Sequence, residues 1–405
     1  MRQYDITIVG GGMVGASLVR ALSGHGFSIA LVESVQPEVR GEAGYDDRAI
    51  ALAYGTRRIF DGLKLWQQLE PAATPIHRIH VSDRGHFGMA RMDRSEEGLP
   101  AIGYVVPARD IGRVLSEAVA GTAGVDSWCP ATVKAVQRSE PGVQLELDCE
   151  GEAGTLETRL VVAADGADSL LREQFGIGHV ERDYGQTAIV TNITPQLPHD
   201  NVAYERFTES GPMALLPMSG QRCAVVWTVA TDRAEAIMAL DEREFLAQLQ
   251  ERFGSRLGRL EKTGRRQAWP LRLVQANESV RERLALVGNA VHTLHPVAGQ
   301  GFNLGARDVA VLAEVLVDAK RAGEDPGSLA VLNRYGDWRQ RDHRNVMVFT
   351  DGLARLFTLP VPALGLVRSA GMLAFDLLPP AKRLLTRMTM GRSGRASKLA
   401  RGLPL

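Results

Sequence analysis

Short apolar runs, each closed by glycine or by a polar residue, alternate with amphipathic stretches in the first part of the chain. Ile6–Val9 is an apolar run of strand type, Ala16–Leu22 has helical spacing, and Phe27–Val32 is a second apolar run. A strand, a helix and a second strand in this order predict a βαβ unit with two parallel strands.

Two later stretches repeat the strand-and-turn pattern. Leu160–Ala164 predicts a strand that ends at Asp165-Gly166, with a helix beginning near Ser169. Leu284–Val287 predicts another strand, followed by a glycine-rich loop and a helix from about Asn303. The carboxyl ends of parallel strands meet at one edge of a sheet. We therefore expect three loops, near positions 10, 165 and 290, to converge on one site.

Between Asp183 and Pro270 the pattern changes to short strands separated by proline, glycine and serine, which predicts a largely antiparallel sheet that Ile76–Met92 joins. The predicted fold class is α/β (α+β overall): a Rossmann-like nucleotide-binding domain, an inserted mostly antiparallel substrate-binding sheet, and a C-terminal helical segment. The predicted domains are a discontinuous nucleotide-binding domain at 1–75, 100–182 and 271–345, a sheet domain at 76–99 and 183–270, and C-terminal helices with a basic tail at 346–405.

Composition excludes several classes of protein but does not indicate a reaction. The 405 residues carry 47 basic and 47 acidic side chains, so no charge excess predicts a nucleic-acid partner. Three cysteines without a C-x-x-C pair predict idle thiols in a reducing compartment. The sequence shows no secretory leader and no apolar run of the ~18 residues that a spanning helix needs. These features predict a cytoplasmic protein without a membrane span.

The loop after the first strand reads Gly10-x-Gly12-x-x-Gly15 and predicts a dinucleotide site. Gly10 permits the tight turn, Gly12 lets the backbone approach a pyrophosphate, and Gly15 lets the helix pack on the sheet. The helix N-terminus offers unpaired N–H groups and a partial positive charge. Glu33, eighteen residues after Gly15, can accept hydrogen bonds from a ribose diol, which favours FAD or NAD over NADP. Three loops at one edge favour FAD, because a long ligand needs a second loop for its ring end.

At this point the residues resemble the FAD-dependent aromatic hydroxylases of the para-hydroxybenzoate hydroxylase fold, over nearly the whole chain. The resemblance rests on three motifs in order: Gly10-x-Gly12-x-x-Gly15 with Glu33; Asp165-Gly166-x-x-Ser169-x-x-Arg172; and Gly288-Asn289 through Pro296, Gly299, Gly301 and Asn303. The family's third motif normally reads Gly-Asp, and asparagine still donates and accepts hydrogen bonds. The segments YERFTESGPMALLPM and LHPVAGQGFNLGARD are similar to the ubiquinone-pathway hydroxylases, above all those that act on a 2-polyprenyl-6-methoxyphenol ring.

The resemblance implies a set of site residues. Those expected to bind FAD are Gly10, Gly12, Met13, Val14, Gly15, Glu33, Arg48, Arg109, Asp165, Gly166, Arg172, Gly288, Asn289, Pro296, Gly299, Gly301, Phe302 and Asn303. Pro296 and Gly299 are expected beside the flavin ring, with the positive end of the following helix directed at it. The inserted sheet is expected to cover the ring and to line the substrate pocket with Met213, Leu215 and Pro217, although core packing explains these residues equally well. No residue is singled out as the one that deprotonates a phenol.

The activity that the resemblance implies is flavin-dependent hydroxylation of a 2-polyprenyl-6-methoxyphenol ring in ubiquinone synthesis. NAD(P)H would reduce FAD, and O2 would then form a flavin hydroperoxide that transfers OH to the ring. Two alternatives stay open: a sister hydroxylase acting at another ring position or on a soluble aromatic acid, and a non-catalytic FAD-bearing scaffold subunit. Membership of a ubiquinone-biosynthesis complex also stays open.

Histidines and the basic tail offer further candidate sites. His292 and His295 have the i,i+3 spacing of a metal pair, but we expect no metal because no carboxylate or cysteine ligand stands close to them in sequence. His77 and His80 lie on opposite faces of a predicted strand.

After Asp376 the chain has basic residues and no acidic ones, behind a predicted packing helix marked by Leu364, Val367, Gly371, Phe375 and Leu378. This tail is either a solvated surface or a contact with anionic lipid on the inner face of the membrane.

Overall fold

The first apolar run begins an eight-stranded sheet whose central strands are parallel. The computed structural model describes residues 2–36, 48–139, 142–296, 299–358, 372, 378–392 and 394–405, with the backbone alone described at 353–358 and 379. The strands of this sheet are β1 (Arg2–Val9), β2 (Ile29–Val32), β8 (Val125–Trp128), β9 (Thr132–Ser139), β10 (Gly142–Cys149), β11 (Glu152–Ala163), β18 (Val280–Arg281) and β19 (Leu284–Leu286). Their order is β18-β19-β11-β1-β2-β8, with β10 and β9 extending antiparallel from β11.

The parallel core of this sheet explains its near-continuous apolar sequence. β19, β11, β1, β2 and β8 run parallel to one another. Helices pack on one face, and side chains of β9 and β10 contribute to the core on the other. Side chains on both faces are therefore buried, as at Ile6, Ile8, Val161 and Val162, which are all fully inaccessible. Helices α1 (Met13–Leu22), α4 (Ala108–Ala120) and α8 (Gln300–Arg321) contribute apolar side chains to the core that lies on this sheet.

A second sheet of nine strands is mostly antiparallel. Its strands are β5 (Arg78–Asp83), β6 (Met89–Asp93), β12 (His179–Pro195), β13 (Val202–Thr208), β14 (Gly211–Pro217), β15 (Cys223–Ala230), β16 (Leu260–Thr263), β17 (Gln267–Ala276) and β20 (His292–Thr293). The order is β20-β17-β12-β15-β14-β13-β5-β6, with β16 beside β12, and only β13 and β5 pair in parallel. The sheet is longer than predicted, because β12 begins at His179 and β17 ends at Ala276.

The remaining elements complete the connections. A three-stranded sheet contains β3 (Ala49–Ala53), β4 (Thr74–Ile76) and β7 (Gly103–Pro107). The other helices are α2 (Tyr54–Gly62), α3 (Trp66–Leu69), α5 (Leu170–Gln174), α6 (Thr231–Ala239), α7 (Glu242–Phe253), α9 (Leu329–Thr358) and α10 (Pro379–Thr389). Helices α6 and α7 pack on one face of the nine-stranded sheet, and the other face is left to border a cavity.

The predicted fold class is confirmed, whereas the division into domains stays a prediction. Helix α8 begins at Gln300, three residues earlier than expected. Cys129, Cys149 and Cys223 are free thiols, and Cys223 is buried. No described helix has the length and apolar content needed to cross a bilayer. The predicted packing positions Leu364, Val367, Gly371 and Phe375 lie outside the described residues.

Candidate cofactor and substrate site

Three loops meet at the carboxyl edge of the eight-stranded sheet, as their sequence positions predict. They follow β1, β11 and β19, which are consecutive neighbours in the sheet. Backbone hydrogen bonds hold the strand ends in register, with Ala164 N donating to Val9 O at 2.8 Å and Val287 N donating to Ala163 O at 3.0 Å. Residues far apart in sequence therefore border one site.

Each glycine of the first loop has a different structural role. Gly10 has φ +102°, and a Cβ there would lie 2.4 Å from Ala164 O. A Cβ on Gly15 would lie 1.9 Å from Gly10 O, so only glycine allows α1 to approach β1 this closely. Gly12 has extended backbone and no atom within 4 Å of a Cβ position, and it lines the cavity described below. Gly10 and Gly15 therefore allow close packing of the backbone, and Gly12 leaves space for a ligand.

Glu33 fixes the shape of the first loop. Its Oε2 accepts a hydrogen bond from Gly11 N at 2.5 Å, and its Oε1 accepts one from Val35 N at 2.9 Å. The carboxylate is half-buried at the end of β2, beside the glycine loop. This is the position from which an acid reaches a ribose diol in dinucleotide sites.

The third loop leads into the N-terminus of α8, a long helix packed in the core on the eight-stranded sheet. Gly299 caps α8 in the left-handed conformation, with φ +59°, and α8 then runs for 22 residues. Its first-turn N–H groups have no helical acceptor and carry a partial positive charge. Gly299, Gln300, Gly301 and Phe302 all line the cavity, so this charge acts on whatever the cavity holds.

One cavity of about 920 Å³ extends from the three loops to the nine-stranded sheet. Eleven of the residues that the resemblance assigns to FAD line it: Gly12, Met13, Val14, Arg48, Gly166, Asn289, Pro296, Gly299, Gly301, Phe302 and Asn303. The structure thus brings most of the predicted cofactor residues to one space.

The other predicted residues lie around this space without lining it: Gly10, Gly15, Glu33, Arg109, Asp165, Arg172 and Gly288. Arg172 is 4% exposed and joins two loops, since its guanidinium donates to Ala290 O at 3.0 Å and to Ala167 O at 2.8 Å. It therefore holds the loops together, and the expectation of a direct cofactor contact from its side chain is not supported. Arg109 lies in the first turn of α4, with its Nε 3.6 Å from the carboxylate of Asp110.

Asn303 lines the cavity, but protein groups take up its whole amide. Its Oδ1 accepts from Ala53 N at 2.8 Å and Thr56 Oγ1 at 2.7 Å. Its Nδ2 donates to Ala51 O at 2.9 Å and to Gly299 O at 2.6 Å. An amide oxygen accepts two hydrogen bonds and an amide nitrogen donates two. Asn303 therefore ties α8 to β3 and α2 and has no hydrogen bond left for a ligand.

The residues present fit FAD. The cavity is large and elongated, Gly12 leaves space beside the helix N-terminus of α1, and the Asn289 amide is exposed without a described hydrogen-bond partner. Asp165 Oδ1 is a buried oxygen without a hydrogen-bond partner among the described residues, and burial raises the pKa of this carboxyl. Such polar groups are normally satisfied by something that a structure of the protein alone does not include.

On the sheet side, the predicted substrate residues are wrong by one position. Met213 and Leu215 are fully buried in the core under α6 and α7, and Pro217 lies on the same side of β14. Side chains alternate across a strand, so the cavity is lined by Ala214 and Leu216 instead. An all-apolar stretch hides this alternation, because both faces of β14 are covered.

Sequence reasoning missed one charged residue in the cavity wall. Glu205 lies on β13 between Ala203 and Phe207, and all three line the cavity. Burial raises the pKa of Glu205 to about 8. In the alternating segment VAYERFT the carboxylate of Glu205 stands on the same side of the strand as Ala203 and Phe207. The sequence alone does not tell which side of this strand faces the cavity, so the residue could not be recognised.

Behind the third loop, Asp308 is the centre of a fully buried polar network. Its Oδ2 accepts from Gly288 N at 3.1 Å and lies 3.0 Å from His292 Nε2. Its Oδ1 accepts from Arg339 Nε at 2.7 Å and lies 2.6 Å from His343 Nε2. Burial alone would raise the pKa of Asp308, but the charges of His343 and Arg339 outweigh it and hold the pKa well below its usual value.

The expectation that no carboxylate accompanies His292 is wrong, because Asp308 and His343 join it in a group with metal-ligand spacing. The ligand atoms are already hydrogen-bonded to one another, and Arg339 supplies a cation to the carboxylate. This arrangement accounts for the group as an ion network that fixes the third loop to α8 and α9.

Three buried histidines predict that the protein loses stability in mild acid. Burial lowers the pKa of His80, His295 and His343 to about 4 each. In the unfolded chain their pKa is about 6.5, so below that pH the unfolded state binds more protons than the folded state. Their contribution is complete above pH ~6.5 and is lost as pH falls towards 4, at about 1.4 kcal/mol per pH unit for each histidine.

Urea unfolding at pH 7, 6 and 5 measures this slope. His80 Nε2 is buried without a hydrogen-bond partner, so His80→Leu should remove a titrating group at little other cost. We expect this variant to have a shallower acid slope than the wild type by up to one proton. An equal slope would contradict the assignment for His80.

Comparison with known proteins agrees with this geometry. Residues 3–350 match a family described as "FAD binding domain". The chain is 40% identical to ubiquinone hydroxylase UbiL of Rhodospirillum rubrum over 404 residues, covering 99% of this chain and 93% of that protein. It is 31% identical to the 3-demethoxyubiquinol 3-hydroxylase of Escherichia coli, covering 96% and 98% of the two chains. The chain belongs to the FAD-binding family of the ubiquinone hydroxylases.

Solved structures of low identity share the fold of this family member. The p-nitrophenol 4-monooxygenase PnpA of Pseudomonas putida superimposes with a TM-score of 0.80 at 19% identity, covering 97% of this chain and 100% of that one. The predicted family, its cofactor FAD and its class, the flavin-dependent aromatic-ring monooxygenases, are confirmed. The ring that is hydroxylated remains to be inferred.

Proposed function

We propose that this ubiquinone hydroxylase family member hydroxylates the ring of a 2-polyprenyl-6-methoxyphenol in ubiquinone biosynthesis, with NAD(P)H as reductant and O2 as co-substrate. The observation that carries the proposal is the single cavity, which joins a glycine-rich anion cradle at one end to an apolar sheet face at the other. The cradle matches a dinucleotide, and the apolar face matches a prenylated ring.

The chain's own residues would bind the cofactor, orient the substrate ring and exclude water. The Gly10–Gly15 loop and the N-terminus of α1 would hold the FAD pyrophosphate, and Arg48 would add a cation. Asn289, Pro296 and Gly299 would lie along the ribityl and ring end, where the N-terminus of α8 stabilises negative charge by roughly 1 kcal/mol. FAD, when bound, supplies the redox chemistry and the activation of O2. The apolar face of the nine-stranded sheet would keep water from the reacting ring.

A sister ring position is the second candidate. The name of the E. coli relative gives hydroxylation at position 3 of 3-demethoxyubiquinol, a substrate different from a 2-polyprenyl-6-methoxyphenol. The cavity's apolar wall is compatible with either substrate. A non-catalytic FAD-bearing scaffold is disfavoured by the size of the cavity next to the cofactor loops.

Deletion of the gene, followed by mass spectrometry of the lipid that accumulates, tests the ring position. Accumulation of 2-polyprenyl-6-methoxyphenol supports the proposal, and accumulation of a more oxidised precursor supports a sister position. NAD(P)H oxidation by the purified holoenzyme should rise with a short-chain 2-prenyl-6-methoxyphenol and give an oxygenated product. Bound FAD without stimulated turnover by any ubiquinone precursor would indicate the scaffold.

We also propose a peripheral contact between α10 and anionic lipid. Several basic side chains of the tail are engaged within the protein, such as Lys382 with Glu96 at 2.7 Å and Lys398 with Asp318 at 3.3 Å. Leu378 and Leu384 are 54% and 62% exposed, and Arg383 is exposed beside Leu384. Leu385 and Thr389 of the same helix line the cavity, so a lipid surface at α10 would lie next to the substrate space.

The double variant Arg383→Ser/Leu384→Ser should bind less well to vesicles that contain anionic lipid, by about tenfold, since each basic residue near such a surface contributes about 1 kcal/mol and a buried leucine adds more. Co-sedimentation measures the bound fraction. Arg401→Ser, in the tail but outside α10, is the matched control. Equal binding of the double variant and the wild type would contradict the contact.

A further inference from the structure

We propose that Glu205 accepts the hydrogen bond of the substrate's phenolic hydroxyl and takes its proton before the ring is hydroxylated. The proposal rests on the proposed function, because it needs a phenol in the cavity. Its evidence is the position of one carboxyl on an otherwise apolar wall.

The sheet register isolates this carboxyl among apolar side chains. Glu205 pairs with Val81 on β5 and with Ala214 on β14. The next strands continue the row with Ala90 and Val226. All five side chains line the cavity, so Glu205 is the one polar member of a row that crosses five strands. The two alanines of the row are small and leave space in front of Glu205.

Glu205 also lacks a partner within the described protein. No hydrogen bond or ion pair of its carboxyl is present, and its pKa is raised by burial with no contribution from another charge. Glu205 is half-buried, with its carboxyl open to the cavity. An unpaired carboxylate against apolar surroundings is costly, so such a group is normally paired or replaced. A core role does not explain it, since a leucine or glutamine would pack there at lower cost. A ligand that presents a hydroxyl group would satisfy it.

The chemistry balances without a further reactant. The phenol O–H bond breaks, its electron pair stays on the oxygen, and the proton moves to the Glu205 carboxylate, which becomes a carboxylic acid. The phenolate formed has a more electron-rich ring than the phenol, which makes its carbon a better nucleophile towards an electrophilic oxygen, the chemistry that bound FAD would supply. A general base works best with a pKa near the working pH, and burial places Glu205 at about 8.

Few other titratable groups face the same space. Among the described residues, Arg48 and Tyr204 are the other ionisable residues that border the cavity, and the Tyr204 ring packs on the opposite side of β13 against Phe253 of α7. Burial raises the pKa of Tyr204 further above its usual value of 10, which removes it as a base near neutral pH.

The strands on either side of Glu205 present Val81 and Ala214, which cannot titrate, and helix α9, which packs on β13 and β14, presents Phe349 to the cavity. The described titratable side chains of α9 include Asp342, His343 and Asp351, which are engaged with Arg339, Asp308 and Arg182. A pH dependence between 7 and 9 is therefore assigned to Glu205.

The test compares Glu205→Gln with the wild-type holoenzyme. Oxidised protein with bound FAD and no NAD(P)H is titrated with a short-chain 2-prenyl-6-methoxyphenol, and the near-ultraviolet difference spectrum reports bound phenolate. We expect phenolate in the wild type, increasing with pH through about 8, and neutral phenol in Glu205→Gln at the same pH. In turnover, hydroxylated product per unit time should fall at least about 100-fold in the variant, with the alkaline rise of the wild-type pH profile lost. Glu209→Gln, an exposed residue at the end of the same hairpin, is the matched control.

Stability separates a chemical role from misfolding. A carboxyl whose folded pKa lies above its unfolded value of about 4.5 contributes stability that is complete below pH 4.5 and is lost as pH rises towards 8. Glu205→Gln should therefore be more stable than the wild type at pH 8. If Glu205→Gln does not fold, Glu205→Asp serves instead, because it keeps the carboxyl and should retain part of the phenolate signal.

The outcomes distinguish the two proposals. A wild-type protein that binds no prenylphenol and hydroxylates none overturns the proposed function. A wild type that does both, with a Glu205→Gln variant of unchanged phenolate spectrum, rate and pH profile, overturns the role of Glu205 alone.

Discussion

Replacing Asp308 with asparagine is expected to lower the free energy of unfolding by roughly 3–5 kcal/mol, the usual effect of removing one partner of a buried ion pair. Asp308 is fully inaccessible and receives hydrogen bonds from Gly288 N and from Arg339 Nε. The amide would leave the buried Arg339 cation with Asp342 as its remaining described carboxylate partner, and Asp342 is shared with Arg307. It would also place an N–H₂ group against one of these donors.

The same variant should lose FAD, because Asp308 fixes the start of the third loop. Gly288 and His292 are both held by the Oδ2 atom. Urea unfolding gives the stability, and visible absorbance of the purified protein gives the flavin content. Asp318→Asn is the matched control, since Asp318 lies on the same helix with a side chain 49% exposed and makes surface ion pairs. Its expected cost is within about 1 kcal/mol. A loss for Asp308→Asn as small as that of Asp318→Asn would contradict the network's role.

The cofactor side of the site could be predicted from sequence because its determinants are local. Each loop combines a buried strand with glycines or capping residues that follow it directly, as at Val9 and Gly10 or at Ala163 and Gly166. The parallel order of the strands then follows from the βαβ pattern. Nothing beyond neighbouring residues was needed to place these loops at one edge.

The substrate side could not be predicted in the same way, because it depends on strand register. A shift of one residue exchanges the two faces of a strand. For this reason Met213 and Leu215 were expected to line the cavity, whereas Ala214 and Leu216 line it in the structure. The Asp308 network was missed for another reason. His343 lies 35 residues from Asp308 in the chain, and only the packing of α9 on α8 brings them together. The loop-joining role of Arg172 was missed because its partners are backbone carbonyls, which leave no mark in a sequence.

Alanine substitutions at two glycines of the first loop should have different effects, one on the fold and one on FAD binding. In Gly15→Ala the new methyl group would overlap Gly10 O, which is backbone and cannot rotate away, so α1 must move off the sheet. We expect a loss of roughly 3 kcal/mol or more, at the upper end for overpacking, and no bound FAD. In Gly12→Ala the methyl group meets no protein atom within 4 Å and the backbone is extended, so the fold should be unaffected. The methyl group would instead occupy the space that a pyrophosphate needs, and FAD binding should weaken at least about tenfold, or ~1.4 kcal/mol.

Thermal melting followed by circular dichroism, together with flavin titration of the apoprotein, distinguishes these two failures. Gly112→Ala on α4 is the control, because it has no clash and lies in a helix, where alanine is favoured by roughly 0.5–1 kcal/mol over glycine. A Gly12→Ala apoprotein that melts like the wild-type apoprotein but binds flavin at least about tenfold more weakly would place the pyrophosphate at the N-terminus of α1. A Gly12→Ala protein with unchanged FAD affinity would show that the cofactor does not approach this loop. That result would remove the physical basis for assigning the cavity to flavin, since the other loops border the same space and depend on the first for the adenine end of the ligand.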